Sequence, residues 1–227
     1  MMPALPVLYE DNHLIVINKP SGLLVQGDRS GDETLANEVK GYIKKKYKKP
    51  GDVFLGVIHR LDRPVSGAVL FGRTSKGLER MNAQFREREV KKTYWAIVKD
   101  QPTETEGELT HWLKKNHEAN RTTASNKESK GTQKAILQYK LIGRIAEYYL
   151  LEVKPVTGRP HQIRVQLAKI GCPILGDVKY GGAKQKNKQR IYLHSRSLEF
   201  DHPVKKEPVR IDAKVPKDQI WQLFSQS

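Results

Sequence analysis

The stretch Asp52–Arg73, DVFLGVIHRLDRPVSGAVLFGR, reads as strand, loop, strand. Its two flanks, DVFLGVIH and GAVLFGR, are rich in branched and aliphatic residues that suit a pleated surface. Between them HRLDRPVSG, His59–Gly67, packs cations, a carboxylate, a proline and a small-residue turn into a few positions. A carboxylate on a loop between two core strands is aimed by a rigid scaffold. The fold class therefore depends on what surrounds this loop.

Upstream, PVLYED and HLIVINKPSG form two short strands around an Asp-Asn turn, stopped by Pro-Ser-Gly, so a hairpin is expected. From Thr34 to Lys48, Leu35, Val39 and Ile43 recur at four-residue spacing while the lysines fall elsewhere, which predicts an amphipathic helix with a basic outer face. The run KKKYKKPG that ends it reads first as a solvated helix end, with phosphate contact as the functional alternative. Downstream, SKGLERMNAQFRERE is a second helix, KKTYWAIVKD alternates as a strand, and GELTHWL is expected to pair with that strand. Lys114 to Lys134 has almost no large apolar residue and reads as a mobile excursion or a polar hairpin. AILQYKLIGRI and EYYLLEVKP are strands, and RPHQIRVQLAKIG is a helix with Pro160 in its first turn and Gly171 at its end. IYLHSRSLEF and EPVRIDAKV add two strands before a closing helix near PKDQIWQLF.

A chain of 227 residues can bury one sizeable core, and with no repeat or long linker a single catalytic domain, residues 1–227, is expected. Its 41 Lys plus Arg against 25 Asp plus Glu give a net charge of +16, which points to a polyanionic partner. No apolar run approaches the ~20 residues of a spanning helix, and the start has no basic region leading into an apolar stretch. The expectation is a soluble, cytoplasmic protein without a membrane partner. The lone Cys172 cannot form an internal disulfide and reads as a small buried apolar residue.

Several chemistries lack their residues. His111 and His117 lack cysteine or carboxylate support, so a zinc site is not expected. The phosphate-cradling patterns GxxxxGK[ST] and GxGxxG are absent, and Ser66 near His59 lacks the GxSxG turn of a serine nucleophile. Carboxylate chemistry or plain binding remains. Arg60 and Arg63 flank Asp62 and would favour its ionised form if close, yet an Arg-Asp-Arg turn by itself reads as a structural ion-pair network.

Four ordered motifs change that reading. HRLDRPVSG, NKPSGLLV from Asn18 to Val25, KKTYWAIV around Tyr94, and TGRPHQIRVQLAKIGCPILGDVKYG from Thr157 to Gly181 together resemble the RluA-type RNA pseudouridine synthases, over nearly the whole chain. The resemblance implies an α+β fold: a mixed, largely antiparallel sheet with peripheral helices and a central basic active-site cleft. It implies isomerisation of uridine to pseudouridine in ribosomal or transfer RNA, with no metal or organic cofactor. Asp62 takes the place of the family's catalytic aspartate, as nucleophile or as base. Arg164 matches the arginine that pairs with it, and Tyr94 the active-site tyrosine. Arg60 resembles the residue that helps displace the base, Ile163 lines the base pocket or belongs to the core, and His59, Arg159 and Gln162 complete the substrate-binding set. Val65, Pro160 and Gln166 depart from the family's usual threonine, threonine and histidine, which touches positioning and leaves the reaction class intact. The first family strand begins near Val7, so no accessory N-terminal RNA-binding domain is expected. A hydrolytic glycosidase would ordinarily need a second carboxylate, and none is identifiable, so isomerisation fits better than hydrolysis. The competing reading is a non-catalytic RNA-binding or ribosome-assembly protein on the same scaffold. A glycosylase-type repair enzyme ranks behind both.

Overall fold

In the computed structural model, residues 5–27, 31–185 and 190–225 are described. The architecture is α+β, a mixed, largely antiparallel β-structure with few helices. It divides into two compact units, Met1–Lys91 with Ser195–Val215, and Lys92–His194 with Pro216–Ser227.

In the first unit, β1 (Val7–Glu10) and β2 (Leu14–Lys19) form the expected antiparallel hairpin. Its turn is closed by Asp11, whose Oδ1 accepts from the N–H groups of His13 and Leu14, both at 2.8 Å. The helix α1 (Leu35–Lys46) starts at Thr34, whose hydroxyl accepts from the Asn37 N–H at 3.3 Å. It buries Leu35, Val39 and Ile43, and the lysines of its last turn complement the helix dipole. The strand expected over Asp52–His59 is shorter, since only β3 (Gly56–Val57) pairs, and it pairs with β4 (Ser66–Gly72). All seven residues of β4 are buried, which is why they read as a continuous apolar run rather than an alternation. The helix α2 (Ser75–Glu87) is capped by Thr74. Leu14 and Val16, Ala68 and Leu70, and Met81 of α2 form one core with Leu198 and Phe200. Those last two belong to β10 (Leu193–Asp201), which pairs antiparallel with β11 (Pro208–Asp212). Gly67 has a φ of +114°, and a Cβ there would overlap the Ser195 backbone. The glycine at the second position of β4 thus permits a close backbone approach that no other residue would allow.

In the second unit the strand order is β5 (Lys91–Val98), β9 (Tyr148–Pro155), β8 (Gln133–Ile145), β6 (Glu106–Asn116), β7 (Arg121–Ser125). The expectation that GELTHWL pairs with KKTYWAIVKD is corrected: β6 pairs with β8 and β7, and β5 takes β9. The β8–β9 hairpin carries β9 back beside β5, placing β6 on the far side of β8. The polar segment after Lys114 is an ordered hairpin of β6 and β7. The helix α3 (Gln162–Lys169) also differs from expectation, because Pro160 precedes its first turn and His161 is its N-terminal boundary residue at a φ of +55°. Its end is as read. Gly171 (φ +81°) donates to the Ala168 carbonyl at 3.1 Å and Cys172 to that of Leu167 at 3.0 Å, a Schellman closure. Cys172 is buried and burial pushes its thiol up to about 11, in keeping with an apolar role. The chain closes with α4 (Gln219–Ser225).

Candidate active site

The loop from Ile58 to Val65 is fixed to the first unit by what it buries. Leu61 and Val65 point into the core, and a backbone bond from Val65 N–H to the Asp62 carbonyl at 3.0 Å turns the chain between them. The Asp62 side chain is half-buried, while Arg60 and Arg63 are exposed. His59 serves the loop rather than the solvent: its Nε2 accepts from the Leu70 N–H at 3.0 Å and its ring stacks on Phe85 with centroids 5.0 Å apart.

Arg63 joins this loop to the turn after β2. Its carbonyl accepts from the Gly22 N–H at 2.8 Å, its Nε donates to the Gly22 carbonyl at 3.0 Å, and its guanidinium pairs with Asp32 at 2.7 Å. The Asp32 pair is exposed and worth little, so the two hydrogen bonds with the Gly22 backbone hold the loop. Beneath them lies Lys19, with none of its surface exposed. Its ammonium donates to the carbonyls of Leu23, Pro20 and Arg63, at 2.7, 2.9 and 3.2 Å. Burial pushes its pKa down to about 7; the negative charge of Asp62 works against that shift and the Arg63 cation adds to it. A lysine ending an apolar strand reads from sequence as solvated, and only the three-dimensional closure of the loop shows it to be the loop's anchor.

Lys19 has a consequence for stability. Because its folded pKa lies below its ordinary value of 10.5, the unfolded chain binds more protons between about 7 and 10.5, so this group makes the fold more stable as pH rises through that window. Lys19→Met is expected to flatten that rise in a series of denaturant titrations. It also removes the donor from three inward-facing carbonyls, so a net loss of stability at every pH is expected. An unchanged pH dependence would mean that Lys19 is not the group responsible.

The second unit holds the other candidates. Tyr94 lies in β5 opposite Val153 and is 9% exposed. Arg159, Gln162, Ile163 and Arg164 come together on the turn leading into α3 and on its first residues. Gln162 is committed to that turn: its Oε1 accepts from the Thr157 hydroxyl at 2.7 Å and the Arg159 N–H at 2.9 Å, and its amide donates to the Ile136 carbonyl at 2.9 Å. Arg159 is half-buried, with its Nε donating to the Lys134 carbonyl at 3.2 Å, and Ile163 is buried.

Arg164 is buried, and Asp177 meets it as a fork, with Nε to Oδ2 at 2.7 Å and Nη2 to Oδ1 at 2.8 Å. Tyr180 lays its ring 5.2 Å from the same guanidinium. The Tyr180 hydroxyl accepts from the Thr122 N–H at 2.8 Å and lies 2.7 Å from His161 Nδ1, tying β7 to the start of α3; burial pushes its pKa up. Asp177 and Tyr180 were not singled out from sequence. They stand 13 and 16 residues beyond Arg164, outside helical pairing distance, and only their place in the motif GDVKYG marked them. Gln166, in the place of the usual histidine, donates to the carbonyls of Leu109 and Ala135 and to His111 Nδ1, a structural use.

Among the described residues no group of three metal-ligating side chains occurs, and no helix is long and apolar enough to cross a membrane. Of the basic run Lys184–Arg190, residues 186–189 lie outside the described residues; Arg190 pairs with Asp218 at 3.0 Å.

Residues 13–169 match the family model described as RNA pseudouridylate synthase. The chain is similar to ribosomal large subunit pseudouridine synthase C of Vibrio vulnificus, 34% identical over 213 residues, covering 91% of this chain and 64% of that protein. An uncharacterized RNA pseudouridine synthase of Zymomonas mobilis is 34% identical over 212 residues, covering 93% of this chain and 94% of that one. Among solved structures, human RNA pseudouridylate synthase domain containing 4 superposes with a TM-score of 0.80 at 25% identity, over 96% of this chain and 92% of that chain. Against the Vibrio relatives the chain spans 64% of their length.

Proposed function

The chain belongs to the RNA pseudouridylate synthase family, and from that premise we propose that it isomerises uridines in structured ribosomal or transfer RNA to pseudouridine. In that reaction the bond from ribose C1′ to uracil N1 breaks, the base turns without leaving, and C1′ joins C5, whose proton is then lost. The observation that carries the reading is the family match over residues 13–169, a span that contains Asp62, Tyr94 and Arg164.

The roles follow from the chemistry of each residue. Asp62 acts on the ribose as nucleophile or base, for which a half-buried carboxylate on a clamped loop is suited. Arg60 is exposed, and its planar cation suits stacking in the gap left by an extruded base. Tyr94 offers a ring face to the uracil and a hydroxyl for the C5 proton. Arg164 supplies a fixed positive charge, oriented by Asp177. Gln162 and His59 act by holding their own turns, with Ile163 and Arg159 beside the base. The chain works as a cytoplasmic monomer without metal or organic cofactor.

The test uses RNA whose uridines carry tritium at C5. Turnover should release the label to water with no free uracil; uracil release would indicate a glycosylase, and neither product would leave the binding protein. Tyr94→Phe keeps the ring and loses the hydroxyl, so RNA binding and glycosidic cleavage should persist while loss of the C5 hydrogen slows. With deuterium at C5 its isotope effect should exceed the parent's. Tyr94→Ala should in addition weaken base capture, by the ~1–3 kcal/mol of one stacking contact. Parental rates in Tyr94→Phe with no isotope effect would reduce the tyrosine to a platform.

A further inference from the structure

We propose that a recess beside the C-terminal end of α1 is a second RNA contact, taking one unstacked base of a single-stranded segment against Tyr47 and Phe54 while nearby lysines meet the flanking phosphates. The proposal rests on the reading of RNA as substrate and adds a site that the isomerisation itself does not require.

The recess has a volume of about 270 Å³ and is lined by Asn12, Ile43, Tyr47, Lys49, Phe54 and Arg73, among others. That is far more than the roughly 30 Å³ a single water occupies in the liquid. Tyr47 is 45% exposed and Phe54 50%, and they are the only aromatic residues among the large apolar side chains found exposed in the described residues. Their meeting at one recess is what a stacking platform requires, and a tyrosine and a phenylalanine lose little rotamer freedom on binding.

Tyr47 is also held in place. Its hydroxyl donates to Glu10 Oε1 at 2.8 Å, and the Arg73 guanidinium stacks 4.7 Å from its ring centroid. Glu10, itself nearly buried, further accepts from the Tyr42 hydroxyl at 2.9 Å and from Lys46 at 2.6 Å, and pairs with Arg73 at 3.2 Å. One carboxylate thus fixes the ring and answers two of the local cations. Lys46 Nζ also lies 5.5 Å from the Tyr47 centroid, while Lys44, Lys45, Lys48 and Lys49 form no ion pair with any described carboxylate, so the rim presents unbalanced positive charge beside Phe54 and the part of Tyr47 that these cations leave open. An apolar peptide would need the rings without that charge. A base with its phosphates uses both.

The site lies away from the reacting loop. Asp62 precedes β4 at Ser66, and Arg73 follows its end at Gly72, so the seven-residue strand separates them by roughly 20 Å at ~3.3 Å per residue. RNA long enough to reach both ends of β4 would be held at two places.

The probe is a fluorescently labelled oligouridylate, followed by anisotropy against the protein in an Asp62→Asn background so that no turnover intervenes. Phe54→Ala should weaken binding by about 5- to 150-fold, the range of one lost stacked base. On an abasic ribose-phosphate chain of the same length, Phe54→Ala should bind as its parent does. Lys48→Gln with Lys49→Gln should weaken both ligands and lower the slope of log affinity against log salt. With 5-iodouridine in the oligonucleotide, a photocrosslink should map to Tyr47 or Phe54. Unchanged oligouridylate affinity in Phe54→Ala overturns the proposal, and so does an equal loss on the abasic chain, because the ring would then act without a base. Phe54 is exposed enough that its truncation should leave the melting temperature in place, and a drop would likewise count against a stacking role. Tritium release by the parent protein is scored separately: conversion with no Phe54 effect sinks this site alone, whereas absent conversion sinks the isomerase reading and leaves the base site to the binding comparison.

Discussion

Asp62→Asn is expected to abolish pseudouridine formation while leaving RNA affinity equal to the parent's or slightly higher. The substitution keeps the size and shape of the side chain, and the features that hold the loop are untouched: Leu61 and Val65 remain buried, and the Val65 N–H still reaches the residue 62 carbonyl. What disappears is a charge and a reactive oxygen. Loss of a positioned base alone costs about 10²- to 10⁴-fold in rate, and loss of a nucleophile costs no less, so tritium release should fall below detection in a single-turnover assay. The affinity expectation comes from electrostatics, since one negative charge fewer beside a polyanion lowers repulsion. The same change bears on Lys19. Asp62 opposes the downward shift of the Lys19 pKa, so without its charge the buried ammonium should lose its proton at still lower pH. Melting near neutral pH should stay close to parental. Turnover within tenfold of the parent would remove Asp62 from the chemistry and return the Arg-Asp-Arg turn to the structural reading.

How far the sequence could be read depended on whether the physics was local. The Asp11 turn, the Thr34 cap and the Gly171 closure each satisfy backbone groups within a few residues, and the hairpin, α1 and the end of α3 were legible for that reason. Pairing of β6 was misread because neighbours in sequence were assumed to be neighbours in the sheet, whereas the long β8–β9 hairpin brings its return strand to β5 first. The Asp62 loop was visible as a loop, but its anchoring was not. Lys19 bonds a carbonyl 44 residues away, and Gly67 is required by the backbone at Ser195. Gln162, placed among the substrate contacts by the family resemblance, gives every hydrogen bond described for its amide to its own turn and to Ile136, which no local pattern announces. Tyr47 was legible only as an interruption of a lysine run. Its exposure becomes meaningful beside Phe54, which lies in a segment read as strand.

The Arg164–Asp177 fork supports the second large effect, because it ties a proposed reaction residue to the stability of its unit. Asp177→Ala should cost about 3–5 kcal/mol, the range for removing one partner of a buried ion pair. At about 2–4 °C per kcal/mol for a chain of this size, the melting temperature should fall by roughly 6 to 20 °C. Arg164→Met should cost a similar amount, since it leaves a carboxylate only 1% exposed without its fork. Replacing both, Arg164→Met with Asp177→Leu, removes both charges together. Buried pairs exchanged for apolar residues of similar volume are often neutral or more stable by 1–4 kcal/mol, so the double variant should melt near the parent or above it. Activity should not follow. If Arg164 supplies charge to the reaction, the double variant is folded and inert, and its kcat stays down across pH while RNA binding persists. If it instead recovers both stability and tritium release, the fork is a packing device and Arg164 leaves the list of reaction residues. An Asp177→Ala variant that melts with the parent would be the sharper contradiction: the guanidinium would then be satisfied without Asp177, and the orienting role assigned to this carboxylate would be withdrawn.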